Sequence, residues 1–349
     1  MAYTTIDDPS AHFQTTLYTG DGNDDRQVTN GGNSNLKPDL VWVKDRTQAE
    51  SNAWFDSTRG ATVRLQSNST GVESTETATV KSFTTDGFTV GTSGSVNNGS
   101  NPDNYVAWQW KANDGTTSTN TDGDINSTVQ VNSTAGFSIV TYSPSNNTAR
   151  SIGHGLGATP QVVITRARNR AEDWRVFHSG AGSTGSLNLN DTSAHNSSTV
   201  LHTGVASTTF GVGTDFSVNG AYNYISYVFA EKQGFSKFGK YTGNGSTNGV
   251  FVYTGFKPAF FISKRSDSTS NWLIFDDKRG EFNLNDNYLY ANSNASEGTS
   301  SSAGVDFLSN GVKMRNSYAD ANTSGAQYVY MAFAENPFVT STGIPTTAR

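Results

Sequence analysis

The chain of 349 residues contains no cysteine, so disulfide bonds and thiolate chemistry are excluded. Only 15% of its residues are charged and the net charge is −6, so no basic face for nucleic acid is expected. No apolar run long enough to cross a membrane is present, so no membrane span is expected. The first residues lack the basic and apolar segments of a signal peptide, and none is expected.

Hydrophobic residues are also scarce, at 34%, and much of the remainder is Gly, Ser, Thr and Asn. Disordered chains combine low hydrophobicity with high charge and few aromatic residues. Here the charge is low and aromatic residues reach 11%, so the composition favours a folded chain. Uncharged polar residues with many aromatics and 35 glycines are typical of strands, turns and long surface loops.

Nearly the same landmarks occur three times along the chain. Two clear copies share a Tyr-Thr-Gly segment, a Lys-Pro segment that opens an apolar run, and a Trp followed by Phe-Asp: Tyr18–Gly22 and Tyr241–Gly245, Lys37–Lys44 and Lys257–Lys264, Trp54–Asp56 and Trp272–Asp276. A looser copy occupies Thr159–Ile164 and Trp174–Phe177. The repeat, about a hundred residues, is too long for a solenoid rung and has the size of a small domain.

The sequence therefore predicts an all-β fold of three tandem homologous β-sandwich-like modules, of the jelly-roll or lectin-like kind. The predicted division is a leader at 1–12, module 1 at 13–112, a Gly/Ser/Thr/Asn-rich linker at 113–135, module 2 at 136–234, module 3 at 235–338 and a C-terminal tail at 339–349. Because modules 2 and 3 are nearly contiguous, we expect them to pack firmly together and module 1 to sit at more distance.

Each module ends on an aromatic strand with period-two alternation: Tyr105–Trp110, Tyr224–Phe229 and Tyr328–Phe333. The pattern predicts that Trp108, Tyr227 and Met331 point inward, whereas Gln109 lies on a face that meets solvent or a neighbouring module. Short apolar runs after prolines predict strands buried on both faces, at Leu40–Val43, Val162–Ile164 and Phe260–Ile262. Asp-Gly and Asn-Gly pairs predict hairpins at 83–90 and 307–312, and no amphipathic helix is expected.

Motifs for chemistry are nearly absent. No metal-binding histidine pair, nucleophile elbow, phosphate-binding loop or dinucleotide fingerprint is present, so we expect no enzyme, no catalytic residue and no cofactor. Asp21–Asp25 and Asp122–Asn126 fit calcium loops only in part, since both lack the glycine and glutamate of an EF-hand, and Asx-type turns are the alternative. We therefore predict no metal site.

The acidic candidates for paired carboxylates are Asp276 with Asp277 and Glu73 with Glu76. A Phe-Asp pair is followed by Arg-Gly at both 55–60 and 275–280, which favours a turn-stabilising ion pair over an acid/base pair. The basic run Arg166–Arg170 is either a solvated loop or a contact with a partner.

Three tryptophans, Trp54, Trp174 and Trp272, follow the proline of each repeat by fourteen or sixteen residues. Aromatic faces stack on sugar rings, so these residues are candidates for carbohydrate binding. The alternative, which we favour, places them in the core.

Four motifs carry a resemblance to known proteins: Lys37–Lys44, Trp54–Ala61, Asp86–Gly91 and Tyr105–Ala112, together with an ending at Ala334–Phe338 and Ile344-Pro345. The pattern resembles a family of repeat-containing structural proteins from tailed phages of marine bacteria, notably cyanobacteria. The resemblance covers nearly the whole chain and is weakest in module 2. It implies a virion protein, either a tail appendage or a capsid decoration, and brings no catalytic motif.

The resemblance sets the functional expectation. It implies a non-enzymatic structural component of a bacteriophage virion, assembled in the host cytoplasm and acting through contacts with other virion proteins. Because virion parts occupy symmetric positions, we expect a homo-oligomer. The alternative is a host-surface adhesin whose lectin-like modules bind polysaccharide through several weak sites.

Overall fold

The computed structural model describes residues 2–100 and 103–346. In that part the fold is all-β, and the helical segments are a 3-10 helix at Pro9–Ala11 and a single α-helical turn, α1, at Gly94–Asn97. No helix of those residues is long and apolar enough to cross a membrane. Met1 of the predicted leader and residues 347–349 of the predicted tail lie outside the described residues.

The strands form three units, each with one large and one three-stranded sheet, and we call the residues from the first to the last strand of each the unit. Unit 1 covers residues 13–110 and contains β1 (Phe13–Thr19), β2 (Arg26–Val28), β3 (Leu40–Asp45), β4 (Ala53–Asp56), β5 (Gly60–Gln66), β6 (Ser74–Thr75), β7 (Val80–Thr84), β8 (Gly87–Val90) and β9 (Asn104–Trp110). Its strand orders are β1-β9-β3-β4-β5-β6 and β2-β8-β7.

Unit 2 covers residues 118–229, and its large sheet has seven strands: it gains two strands at one edge and lacks the counterpart of β6 at the other. It contains β10 (Ser118–Asn120), β11 (Ser127–Asn132), β12 (Phe137–Tyr142), β13 (Arg150–Gly153), β14 (Val162–Ala167), β15 (Arg175–His178), β16 (Leu187–Asn188), β17 (His202–Val205), β18 (Thr209–Val212) and β19 (Tyr224–Phe229). Its strand orders are β10-β11-β12-β19-β14-β15-β16 and β13-β18-β17.

Unit 3 covers residues 236–337 and repeats the order of unit 1. It contains β20 (Ser236–Thr242), β21 (Phe251–Tyr253), β22 (Phe256–Arg265), β23 (Trp272–Asp276), β24 (Asn287–Tyr290), β25 (Gly298–Thr299), β26 (Val305–Leu308), β27 (Gly311–Met314) and β28 (Gln327–Pro337). Its strand orders are β20-β28-β22-β23-β24-β25 and β21-β27-β26. The homology of the units, the module boundaries and the jelly-roll or lectin-like kinship stay predictions.

Each large sheet is buried on both faces. In unit 1 the outer face, with Val41 and Phe55, packs with Phe88 of the small sheet in one hydrophobic cluster. The inner face, with Trp42 and Trp54, belongs to a different cluster. The apolar runs after prolines are therefore buried on both faces, as predicted, because alternate residues of β3, β14 and β22 serve two cores.

The inner faces of all three large sheets share a single core. At its centre the last aromatic residue of each final strand contacts the other two: the ring centroids are 6.4 Å apart for Trp110 and Phe229, 5.6 Å for Trp110 and Phe333, and 5.8 Å for Phe229 and Phe333. The units therefore meet around one aromatic centre. The expectation that the first module sits at more distance is wrong, because its inner face is covered by the other two units.

The segment predicted as a linker, 113–135, is instead part of unit 2. It forms β10 and β11, and β11 pairs along its whole length with β12. Its Gly/Ser/Thr/Asn-rich composition resembles a linker because the edge strand β10 has no buried residue and Val129 is the one fully buried apolar residue of β11. The leader is also packed, since Ile6 is 3% exposed in the shared core.

The final strands β9, β19 and β28 place Trp108, Tyr227 and Met331 in the shared core, as predicted. The prediction that Gln109 is on an exposed face is wrong, because the small sheet covers that face and Gln109 is completely buried. Its Nε2 donates to Asn30 Oδ1 at 2.6 Å and to Thr16 Oγ1 at 3.0 Å. The N–H donors of this buried amide are therefore paired, whereas its Oε1 has no hydrogen-bond partner among the described residues.

Both predicted hairpins form, with Thr84 opposite Gly87 and Leu308 opposite Gly311. Gly87 has a φ of 101°, and a Cβ atom there would lie 2.0 Å from the carbonyl oxygen of Val28. Glycine is therefore required at position 87, because its positive φ disfavours other residues and a Cβ atom would clash with Val28.

Candidate functional site: the three interfaces between units

The predicted carbohydrate-binding tryptophans do not reach the surface. Trp54, Trp174 and Trp272 are 1%, 0% and 1% exposed and all lie in the shared core. Their ring faces are covered by protein, as in the contact between Trp54 and Trp174 with centroids 5.2 Å apart. The sugar-binding prediction is therefore wrong for these residues, and the alternative of core packing is confirmed.

Strand register, rather than sequence spacing, shows which residues hold the same place in each unit. Asp56, His178 and Asp276 lie opposite Leu40, Val162 and Phe260, the matching residues of β3, β14 and β22. By this register Trp174 and Trp272 correspond to Asn52, two residues before Trp54. The Trp-Phe-Asp landmark therefore misaligns the first repeat: it matches Trp54 with Trp174 and Trp272, whereas the residue in their place is Asn52.

The same backbone hydrogen bond occurs at all three interfaces. We name them the 1/2, 2/3 and 3/1 interfaces after the units that meet. At each, an N–H near the end of one large sheet donates to a carbonyl just after the buried strand of its neighbour: Glu73 to Arg168 at 2.9 Å, His195 to Ser266 at 2.9 Å, and Glu297 to Arg46 at 2.8 Å. Three repeated contacts in one rotational sense close the units into a ring.

The ring is reinforced by side chains at the places of Asn52, Trp174 and Trp272. Each donates to a backbone carbonyl of the preceding unit: Asn52 Nδ2 to Tyr290 at 3.1 Å, Trp174 Nε1 to Gln66 at 2.8 Å, and Trp272 Nε1 to Asn188 at 2.7 Å. The three acceptors also match in register, since they pair with Leu273, Ala53 and Arg175 respectively. The indole N–H groups thus serve assembly of the units.

Three buried cations follow the same scheme. Lys44, Arg166 and Lys264 are each completely buried, although Lys and Arg rarely are. Their head groups reach backbone carbonyls of the preceding unit: Lys44 Nζ to Asn294 at 3.1 Å, Lys264 Nζ to Thr192 at 3.2 Å, and Arg166 to Thr70 and Gly71. Burial lowers the pKa of Lys44 and Lys264 to about 8 and that of Arg166 to about 10.

At the 1/2 interface these contacts join a charge network. Arg59 Nε lies 2.5 Å from Asp56 Oδ2, and both side chains are fully buried. Arg168 of unit 2 pairs with Glu73 through two contacts of 2.9 Å, and Tyr227 donates to Asp56 Oδ2 at 2.8 Å. The predicted turn-stabilising ion pair is confirmed, and it also receives a partner from the neighbouring unit.

The 3/1 interface has the matching network. Arg279 Nε lies 2.6 Å from Asp276 Oδ2, again with both side chains fully buried, and Arg279 Nη1 lies 3.0 Å from Glu297. Arg46 of unit 1 completes it at 2.7 Å from Glu297, and Trp108 Nε1 donates to Asp276 Oδ2 at 3.0 Å. Sequence reasoning named Glu73 only as a possible paired carboxylate and missed Glu297, and the signal for both is their position seven residues after Gln66 and Tyr290.

The 2/3 interface has uncharged side chains in place of the ion pairs of the other two interfaces. His178 and His195 stand where the other interfaces have aspartate and glutamate, and Ala181 and Ser266 stand in place of the arginines. His178 Nε2 lies 3.0 Å from the carbonyl oxygen of Tyr330, and its Nδ1 accepts from the N–H of Gly180 at 3.0 Å. Burial lowers the pKa of His178 to about 4, so the interface is built on the neutral imidazole.

Of the two alternatives for the basic run 166–170, the solvated loop is wrong. Arg166 and Arg168 are used at the 1/2 interface, as described above. Arg170 pairs with Glu172 and lies over the rings of Phe216 and Tyr222, 4.7 and 4.8 Å from their centroids. All three arginines are therefore engaged within the chain.

Two interfaces carry open grooves on their outer side. A groove of about 430 Å³ lies at the 3/1 interface between β1 and the segment 277–281, and one of about 570 Å³ lies at the 2/3 interface beside Lys240. In the first groove burial raises the pKa of Asp277 to about 7, and the nearby charges of Asp276 and Glu335 add to the effect. Asp276 itself is occupied by Arg279, so the two aspartates do not form an acid/base pair.

The described residues contain no group of three or more His, Asp or Glu side chains placed to hold a metal ion. Both predicted acidic turns are held by hydrogen bonds within the chain. Asp21 Oδ1 accepts from the N–H of Asn23 at 2.9 Å, and Asp124 Oδ2 accepts from the N–H of Ser151 at 2.8 Å. The first contact is an Asx-type turn.

Comparison with known proteins gives a family and no further relative. One family, described as a domain of unknown function (DUF7483), matches residues 8–337. No curated protein and no solved structure matches the chain.

Proposed function

The chain belongs to the DUF7483 family, and from its architecture we propose that it is a non-enzymatic structural component of a bacteriophage virion, a tail appendage or a capsid decoration. It acts by assembly with other virion proteins. The motifs at Lys37–Lys44 and Trp54–Ala61, which carry the resemblance to phage proteins, support this context.

One observation carries the proposal. The chemically distinctive residues that recur between the repeats are buried at the contacts between units and hold the ring closed. Lys44 and Lys264, for example, are fully buried and bind backbone carbonyls. Asp56 and Asp276 are fully buried in ion pairs. Recurring polar residues used for internal assembly support a construction role, since a catalytic or binding site would present them to a ligand.

The test is the protein content of purified particles of the phage that encodes the chain. After density-gradient purification, quantitative mass spectrometry is expected to find the chain in a fixed copy number relative to the major capsid protein. Expression late in infection together with absence from purified particles would overturn the proposal. Tail-less and DNA-free particles, analysed in parallel, separate the tail and capsid locations.

A second candidate, the host-surface adhesin, is favoured by one surface feature of unit 3. Phe282 is 80% exposed at the rim of a groove of about 750 Å³ that also contains Lys257 and Asn283. An exposed aromatic ring beside polar side chains is a suitable platform for a sugar. A glycan array with the chain displayed multivalently tests this. Binding that Phe282→Ala abolishes supports it, and no binding to host polysaccharide rejects it.

A further inference from the structure

The three units differ at the outer edge of the large sheet. In unit 2 the edge of β12 is covered by β11 and then β10. In units 1 and 3 the matching strands β1 and β20 each pair with one strand, β9 and β28 respectively. The described chain therefore fills one of three matching edges and leaves two without a partner strand.

The filled edge shows how a strand fits at an interface. β11 runs antiparallel to β12 and places Gln130 opposite Ile139. From there Gln130 Nε2 donates to Thr58 Oγ1 at 2.6 Å and to Ser57 Oγ at 2.9 Å, across the 1/2 interface. Ser57 and Thr58 directly follow Asp56. The added strand thus binds both the edge of unit 2 and the turn after Asp56 of the preceding unit.

The edge of β1 at the 3/1 interface has the same geometry without the strand. The N–H groups of Gly20 and Lys111 donate to Asp103 and His12 across β1 and β9. By alternation, the N–H and C=O groups of Phe13, Thr15 and Leu17 point away from β9. No backbone hydrogen bond in the described chain uses these groups. All three residues line the groove of about 430 Å³.

The opposite wall of that groove supplies a side-chain partner. Asp277 and Lys278, which directly follow Asp276, hold the places of Ser57 and Thr58, and Thr15 holds the place of Ile139 because it lies opposite Trp108. The side chain of Asp277 is 12% exposed and its Oδ2 lies 3.3 Å from Lys278 Nζ, whereas its Oδ1 has no hydrogen-bond partner among the described residues. A buried, unpartnered carboxylate oxygen is costly unless a ligand satisfies it.

We propose that the free edge of β1 binds an extended segment of a partner polypeptide, which adds an antiparallel strand to the large sheet of unit 1. The residue of that segment opposite Thr15 carries an amide or a cation that donates to Asp277. The inference rests on the proposed assembly function and names the kind of partner it requires. Main-chain hydrogen bonds supply affinity and the groove wall supplies selectivity.

The free edge of β20 is the weaker site. Its groove at the 2/3 interface has Ser179 and Gly180 in place of Asp277 and Lys278, and Lys240 lies on the strand itself. No carboxylate is among the residues that line this groove, so it offers no acidic partner for a cationic side chain. This difference makes β20 an internal control for the edge of β1.

The test uses the strand that the chain itself provides. A synthetic peptide of residues 125–134 and its Gln130→Lys form are titrated into the isotope-labelled full chain and followed by NMR. We expect shifts and slowed hydrogen exchange at the amides of Phe13, Thr15 and Leu17. The lysine peptide should bind at least about fivefold more tightly, because a charge-assisted hydrogen bond is stronger. Shifts confined to β20, or none at millimolar peptide, would overturn the proposal.

Three variants check the geometry. Asp277→Asn should remove the preference for the lysine peptide and leave the edge intact. Leu17→Pro should abolish binding, because it deletes an outward N–H without breaking the pairing with β9. Lys240→Pro should leave binding unchanged. If Leu17→Pro does not fold, Asp277→Asn decides, and an unaltered preference in that variant counts against the proposal.

Analytical sedimentation of the chain without peptide tests whether a second copy of the chain, rather than a different polypeptide, binds the edge of β1. Self-association that Leu17→Pro removes would identify a second copy as the occupant and overturn the choice of a different partner. Failure of these experiments leaves the virion assignment standing, because the mass spectrometry of particles does not depend on β1.

Discussion

At the scale of single residues, the buried aspartates connect the sequence repeat to the assembly of the units. Asp276 accepts from Arg279 at 2.6 Å within its own turn and from Trp108 of unit 1 at 3.0 Å. One carboxylate therefore satisfies a buried cation and an interface donor together. Removing one partner of a buried ion pair leaves the other charge uncompensated, which is strongly destabilising.

We predict that Asp276→Ala lowers the free energy of unfolding by about 3–5 kcal/mol. Glu76→Ala is the matched control, because Glu76 pairs with Arg64 at 3.1 Å but is 38% exposed. Exposed pairs contribute about 0–1 kcal/mol. Urea denaturation of the two variants measures both values, and an equal cost for the two substitutions would contradict the proposed role of Asp276.

His178 gives the 2/3 interface a dependence on pH. Its folded pKa is lowered from 6.5 to about 4, so the stability that depends on its neutral form is complete above pH 6.5. That stability is lost as the pH falls from 6.5 toward 4, since the unfolded chain binds the proton first. Protonation would also remove the Nδ1 lone pair that accepts from Gly180 at 3.0 Å.

We therefore predict that stability of the chain falls between pH 6.5 and pH 4, and that His178→Gln makes this fall shallower. The measurement is the urea midpoint at several pH values for both proteins. The comparison isolates His178 from the other titrating groups, including Asp277, whose raised pKa acts in the opposite direction. Parallel pH profiles for the two proteins would count against a neutral His178.

At the scale of strands, the sequence predicts what a local pattern encodes. The runs Leu40–Val43, Val162–Ile164 and Phe260–Ile262 lie in β3, β14 and β22, because a short apolar run that follows a proline favours a buried strand. The linker prediction for segment 113–135 is wrong because the composition of β10 and β11 does not show which strand each of them pairs with. Gln109 was misjudged because the small sheet that covers it comes from distant parts of the chain.

The role of β11 can be tested through the one side chain that it sends across the 1/2 interface. Gln130 is fully buried and donates to Ser57 and Thr58. We predict that Gln130→Ala costs about 1–3 kcal/mol, because buried partners are left unsatisfied. Thr128→Ala, at an exposed position of the same strand, should stay within about 0.5 kcal/mol. Thermal and urea unfolding measure both, and equal costs would show that β11 stabilises through its backbone alone.

At the scale of the whole molecule, the shared core sets the unit of folding. Unit 1 places Trp42, Trp54, Trp108 and Trp110 in that core. At roughly 150–250 Å² for each aromatic side chain, these four bury about 600–1,000 Å² in all, and isolation would expose the part of this area that the other two units cover. The largest apolar patch on a monomeric protein is usually about 300–600 Å². Although a module of this length has the size of an independent domain, its inner face is completed only by the other two units.

We predict that a fragment of residues 2–112 does not fold alone, and that the full chain unfolds in one cooperative transition. Near-ultraviolet circular dichroism, which reports fixed tryptophan packing, should be featureless for the fragment and strong for the full chain. Mixing the fragment 2–112 with a fragment of residues 113–349 should restore the signal. The backbone contacts of Glu73 with Arg168 and of Glu297 with Arg46 can then form between the two fragments and close the ring. A fragment 2–112 that is monomeric and melts cooperatively would show instead that each unit is its own domain, and that the aromatic centre joins three structures already formed.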